Sequence, residues 1–186
     1  MSNQIETFDD TIAEKLDSER RKASHSRPLR IAVLGPNLDN TDDPGTLKRR
    51  QIYDALERDG HYPFFPETHV DTGQPFDSWI EQERVILSDP AVDLVIVLNT
   101  PTSIGVILEI GNFISAPEVR AKTAIMHPIE YYTPDDSLAA NTIRAYLVRL
   151  PYTEEQMLAC QLVSECRIWV RRRQIGEWPS LAPHEV

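Results

Sequence analysis

The 186-residue chain reads as an α/β protein in which a parallel sheet is covered by helices on both faces. Two observations predict this. Short continuous aliphatic runs, "LRIAVLG" at Leu29 to Gly35 and "VDLVIVLN" from Val92, have the composition of strands buried on both sides. Between and after them come segments of helical periodicity, and strands alternating with helices assemble through crossovers into parallel sheets.

The elements follow in order. The first 28 residues are charged, end in "RRKASHSRP" and offer little besides Ile12 and Leu16 to bury, so they read as an arm or a partner-dependent helix. A single folded domain is expected over residues 29–186. After the first strand the polar loop "PNLDNTDDPGT" leads to Pro44, well placed at the start of a helix through "GTLKRRQIYDALERDG" that Gly60 ends. "HYPFFPE" is a short strand whose prolines confine it to an edge. "FDSWIEQERVILSD" is an amphipathic helix carrying Phe76, Trp79, Ile80, Glu83, Val85, Ile86 and Leu87, with Asp77 or Ser78 near its start. "AKTAIMHP" gives a further strand. "DDSLAANTIRAYLVRL" and "TEEQMLACQLVSECRIWVRRRQ" both read as helices, the second a long C-terminal one whose arginines suit the negative end of its dipole.

Composition narrows the function. A hydrophobic content of 41% supports one sizeable core, and a formal charge of -10, from 19 basic against 29 acidic residues, argues against a general nucleic-acid binder. Cys160 and Cys166 form no CxxC pair, so neither a zinc site nor a disulfide framework is expected. No apolar run approaches the length that spans a bilayer, and the acidic start is unlike a secretory signal, so a cytoplasmic protein without membrane contact is expected. No metal or cofactor is called for.

In open parallel sheets, ligands bind beyond the carboxyl ends of the strands where the strand order reverses. Two loops qualify. One carries Gly35, Pro36 and Asn37; the other, "NTPTSIG", carries Asn99, Ser103 and Gly105. Asp39, Asp42 and Asp43 could meet sugar hydroxyls or a metal, but such a cluster more often solvates a loop and caps a helix. His61 and His127 sit at strand ends, where a structural role is expected. Beyond the second loop, "GVILEIGNF" holds one carboxylate, Glu109, in an otherwise apolar segment that is ambiguous between helix and strand. As a helix it gives Glu109 the neighbours Gly105, Val106, Asn112 and Phe113, none of which can neutralise it. Such a carboxylate either faces a ligand cleft or pairs elsewhere, with Arg49, Arg50 or Arg120 as the available partners.

"IAVLGP" followed by "DLVIVLNTPTSIGVILEIGNF" resembles the nucleoside 2-deoxyribosyltransferase family and its nucleoside-monophosphate N-glycosidase relatives, over about Leu29 to Pro128 in order of elements. The resemblance implies a Rossmann-like or flavodoxin-like domain and a nucleoside or nucleotide ligand. It also implies N-glycosidic bond cleavage or glycosyl transfer with Glu109 as nucleophile, and Gly105 as the motif glycine. It further implies a homo-oligomer in which a late polar residue, Asn141 being the nearest, completes a neighbour's site. Three positions depart from the family pattern: Ser103 stands for the motif Asp, Val106 for the motif Thr, and Ala32 for a first-strand Tyr. Tyr53, Tyr62 or Tyr131 could substitute for that last group. The competing readings are an NAD-cleaving enzyme, a non-catalytic nucleotide-sensing module on the same fold, and an interaction protein in which Glu109 is a structural ion pair.

Overall fold

The computed structural model describes residues 27–71, 73, 75–132 and 137–179. The expected arm falls outside the described residues except for its last two positions. Five strands, β1 (Arg30–Leu34), β2 (Tyr62–Phe64), β3 (Leu94–Leu98), β4 (Thr123–Pro128) and β5 (Val148–Tyr152), form one all-parallel sheet in the order β2-β1-β3-β4-β5. This is the flavodoxin-like order, and it reverses direction between β1 and β3. Among the described residues seven helices pack around it: α1 (Pro44–Arg58), α2 (Phe76–Ser88), α3 (Ile104–Phe113), α4 (Pro117–Arg120), α5 (Leu138–Arg144), α6 (Glu154–Leu158) and α7 (Gln161–Gln174). Short 3-10 turns at Pro66–His69 and Ile129–Tyr132 complete the described elements.

The period-2 alternation of the strands divides the core into two layers. Ile31, Val33, Ile96, Leu98 and Met126 face α1, α6 and α7, where Ile52, Met157, Leu162 and Trp169 cover them. Ala32, Leu34, Val95, Val97 and Ile125 face the opposite way, against Leu87 of α2, Ile107 and Ile110 of α3, Val119 of α4 and Ile143 of α5. Burial on both sides is why β3 is an unbroken aliphatic run and why Ile31 to Leu34 and Ala124 to Met126 are apolar throughout. Among the described residues no helix is long and apolar enough to cross a membrane.

Local chemistry sets the ends of α1. Pro44 occupies the first turn, Asp43 Oδ2 accepts from Thr46 N at 2.8 Å, and the chain turns back at Gly60 with φ 85°. At α2, Pro75 holds the cap position without a side-chain hydrogen bond and Asp77 lies in the first turn.

Two expectations need correction. The segment read as one helix through Leu150 is instead α5 followed by β5. Tyr146, buried between them, donates its hydroxyl to Ile110 O at 2.5 Å, and Val148, Leu150 and Tyr152 then alternate onto the core. Pro151 fits because β5 is an edge strand. The long terminal helix is divided into α6 and α7 at Ala159. Thr153 and Gln156 form a capping box at the start of α6, and Lys48 reaches from α1 to take the Ala159 carbonyl at 2.6 Å.

Candidate functional site

The β1–α1 and β3–α3 loops flank the switch point, and they approach each other closely. A Cβ on Gly35 would lie 3.0 Å from Leu98 O and 3.1 Å from Arg49 Cδ. One on Gly45 would lie 2.7 Å from Thr100 Cγ2 and 2.8 Å from Pro36 Cγ, so a side chain there would force the two loops apart, while Gly35 is tightly enclosed.

Arg49 organises this edge from within α1. It is 1% exposed, and its guanidinium donates to Val33 O at 2.6 Å, to Pro36 O at 2.9 Å and to Gly35 O at 3.3 Å. Its remaining donors meet Glu67 on the turn after β2, Nη1 to Oε1 at 2.5 Å and Nη2 to Oε2 at 2.8 Å. The fork thus ties the end of β1, the first loop and the β2–α2 connection together, and it lies over the Phe65 ring at 4.8 Å.

Glu109 lies on α3, half-buried, on the flank of the stripe formed by Val106, Ile110 and Phe113. The segment is a helix, which settles the ambiguity of its β-branched composition. Of the three arginines available to Glu109, Arg49 is bonded to Glu67, Arg50 donates to Leu38 O, and no described ion pair or hydrogen bond engages the Glu109 carboxylate. Burial, reinforced by the charge of Glu67 and opposed by that of Arg49, raises its pKa from 4.5 to about 7.

A second acid points the same way. Glu83 is 2% exposed on α2, between Ile80 and Leu87 on the face that packs against the sheet, and its Oε2 has no hydrogen-bond partner. Burial first, then the charges of Glu109 and Glu67, push its pKa up to about 9. At neutral pH Glu83 therefore keeps its proton while Glu109 can lose its own. Sequence periodicity had placed Glu83 on the apolar stripe of its helix, and a carboxylate in such a stripe is the signal that could have marked it. Glu67, in a short irregular turn, gave no such signal.

Asn99 lies beyond the end of β3, fully buried, with neither its amide nitrogen nor its amide oxygen hydrogen-bonded. Its backbone is fixed on both sides: N donates to Met126 O at 2.9 Å and O accepts from Tyr152 Oη at 2.5 Å. Counting by twos from Val95 and Val97 puts its side chain on the face that carries α2 and α3.

The other expected site residues divide. Gly35 and Pro36 lie at this edge but aim their carbonyls at Arg49, and Asn37 spends its side-chain oxygen on Asp39 N at 3.0 Å and its carbonyl on Thr46 Oγ1 at 2.9 Å. Ser103 holds the cap position of α3 yet bonds the Thr100 hydroxyl at 2.5 Å instead of a helix N–H. Gly105 is exposed with open space above it. Asn141 is exposed on α5, where it accepts from Arg144 at 3.1 Å, and no described contact links it to Glu109.

His61 accepts from Leu29 N at 3.2 Å and His127 is wholly buried with its Nδ1 against Pro128 O, and burial lowers the pKa of each. Asp43 caps α1, and no group of three metal-ligating side chains occurs among the described residues. Ala32 is fully buried, Tyr53 stacks on Phe65 at 4.7 Å, and Tyr62 is exposed. The arrangement puts two acids with raised pKa values, Glu83 on α2 and Glu109 on α3, within electrostatic reach of each other. Compared with known proteins, the chain matches no family model and no curated protein sequence.

Proposed function

We propose that the protein cleaves, or transfers the glycosyl group of, the N-glycosidic bond of a nucleoside, a nucleotide or a nucleotide-derived cofactor, with Glu109 as nucleophile. The observation that carries this reading is the pair of acids driven apart in pKa, Glu109 to about 7 and Glu83 to about 9. Two carboxyl groups with separated pKa values are the usual source of one base or nucleophile and one acid. As the bond from the anomeric carbon to the base nitrogen breaks, positive charge grows on the sugar, and a Glu109 oxygen supplies the electron pair that stabilises or traps it. The departing base takes the bonding pair and needs a proton. Glu83 holds one, directly or through water. Water or a second base then releases the sugar from Glu109. Asn99, with an unused donor and acceptor, is the recognition group on the same face.

A second reading has its own observation. Ala32 is buried at the position of the resembled family's Tyr, and Ser103 is occupied by Thr100 where that family has an Asp. A nucleotide-sensing module that has lost the chemistry fits those two positions.

The test is a panel of deoxynucleosides, ribonucleosides, their monophosphates and NAD, with released base followed by chromatography for wild type and Glu109→Gln. Base freed by the wild type and lost in the folded variant supports the enzyme; nicotinamide alone would single out the NAD-cleaving form. Binding without turnover, unchanged in Glu109→Gln, favours the sensor. The rate should peak between limbs near about 7 and about 9, which belong to the coupled pair and not to either group alone.

A further inference from the structure

We infer that Glu67 is a positioning residue for the proposed reaction: by taking both terminal nitrogens of Arg49 it keeps that guanidinium from pairing with Glu109, whose carboxylate stays free to act. The inference rests on the N-glycosidic reading above. Arg49 needs an anion. It is 1% exposed, and a buried guanidinium without a carboxylate partner is costly. Three carboxyl groups, Glu67, Glu83 and Glu109, lie within reach of one another's charges and of the charge of Arg49. Of these only Glu67 bonds it, Oε1 to Nη1 at 2.5 Å and Oε2 to Nη2 at 2.8 Å.

That fork exhausts the guanidinium. Nε and the other hydrogen of Nη2 go to Val33 O, at 3.1 and 2.6 Å, and the other hydrogen of Nη1 goes to Pro36 O at 2.9 Å, shared with Gly35 O at 3.3 Å. Nothing is left for Glu109. Glu67 holds this place because the turn that carries it, Pro66–His69, packs against both β1 and α2. Without Glu67, Glu109 becomes the ionised group left to answer Arg49, since Glu83 keeps its proton at neutral pH. The helices packed against α3 offer Glu109 little else: Glu83 on α2, Glu118 on α4 bonded to Ser88, Arg120 on α4 whose charge reaches the Tyr146 hydroxyl, and Arg144 on α5 bonded to Asn141. A carboxylate held in an ion pair commits the electron pairs that a nucleophile must bring to the anomeric carbon.

The experiment measures kcat, KM and the pH profile of base release for the full-length wild type, Glu67→Gln and Glu67→Asp, and follows the Glu109 carboxyl carbon through an NMR titration in each. In Glu67→Gln the plateau kcat should fall at least about tenfold with KM little changed, and the Glu109 titration should drop well below about 7 as Arg49 turns to it. Glu67→Asp, which keeps the charge on a shorter arm, should fall between the two, and it gives the same reading if Glu67→Gln folds poorly. A lowered melting temperature with kcat and titration unchanged would make Glu67 an anchor for Arg49 alone and overturn the inference. So would a lowered titration with an unchanged plateau, because the charge of Glu67 would then act without the pairing. If no compound releases base from the wild type, the N-glycosidic reading fails, and crystal structures of wild type and Glu67→Gln decide this point separately. Arg49 bonded to Glu109 in the variant sustains the inference, and Arg49 left on its carbonyls alone overturns it.

Discussion

Two buried acidic groups in this molecule are built in opposite ways. At the amino edge of the sheet, Asp93 is nearly inaccessible, and its carboxylate accepts from Arg30 N at 2.9 Å and from both terminal nitrogens of Arg27. Beside it the buried Lys122 ammonium donates to the carbonyls of Asp89 and Val92, each at 2.9 Å. At the carboxyl edge, Glu83 has an oxygen with no partner and Asn99 has two unused polar atoms, and among the described residues no ion pair or hydrogen bond engages the half-buried Glu109. Leaving a buried polar group unsatisfied costs about 1–3 kcal/mol. The fold can satisfy a buried carboxylate, as Asp93 shows, while Glu83 and Asn99, like Arg120 Nε ahead of β4, keep polar atoms without a hydrogen bond; the proposed function gives the first two a use.

The sharpest way to break this contrast is to exchange the signatures of the two acids. Glu109→Gln should lower base release by about 10³-fold, equivalent to about 4 kcal/mol of barrier, while the melting temperature holds or rises because no ion pair is lost. Asp93→Ala should do the reverse. It removes the acceptor of a backbone N–H and of Arg27, and about 2–3 kcal/mol of stability should go with it at unchanged turnover. Thermal unfolding beside the activity assay reads both, and a destabilised Glu109→Gln would make Glu109 a structural acid like Asp93. Arg49→Ala lies between the two classes. It strips the partners of Val33 O, Pro36 O and Glu67 at once and should cost about 3–5 kcal/mol together with activity, whereas a mild loss would mean that water replaces the fork.

The sheet was legible because its strands announce themselves. Leu29 to Leu34 and Val92 to Leu98 are aliphatic on both faces, and Pro44 and Gly60 punctuate α1 by backbone chemistry that acts locally. β5 was not legible. Its residues Val148 to Tyr152 pass for the end of a helix until Tyr146 and Ile110 fix where α5 stops, and that contact spans distant parts of the chain. The site divides in the same way. Glu109 stood out as one charge in an apolar run, and Asn99 by its place after β3. Glu67 and Arg49 became partners only through the packing of α1 against the turn after β2, which no local pattern encodes.

Proton linkage offers a subtler measure of the contrast. The folded protein keeps the Glu83 proton up to about pH 9, while the unfolded chain gives it up near the ordinary value of 4.5. The stabilising difference is therefore complete below about 4.5 and disappears as pH rises through about 9, with Glu109 adding the same sign up to about 7. Wild-type melting temperature should fall across that window, and Glu83→Gln should flatten the fall. An unchanged slope would mean that Glu83 is ionised in the folded state and carries no proton to donate.

The smallest expected effect separates room kept for a ligand from room left by chance. Gly105 sits exposed in the first turn of α3, and a Cβ built there meets no atom within 4 Å. Packing in the free protein therefore does not require glycine, and its φ is not among the positive ones. On helix propensity alone, Gly105→Ala should stabilise the protein by about 0.5–1 kcal/mol. If the sugar or base lies over this turn on its way to Glu109, one turn further along the same helix face, the added methyl should raise KM severalfold while leaving the pH profile in place. Gained stability with raised KM assigns the open space to the ligand. Gained stability with unchanged kinetics moves the ligand away from the turn, toward Asn99 and the β3 end of the crevice.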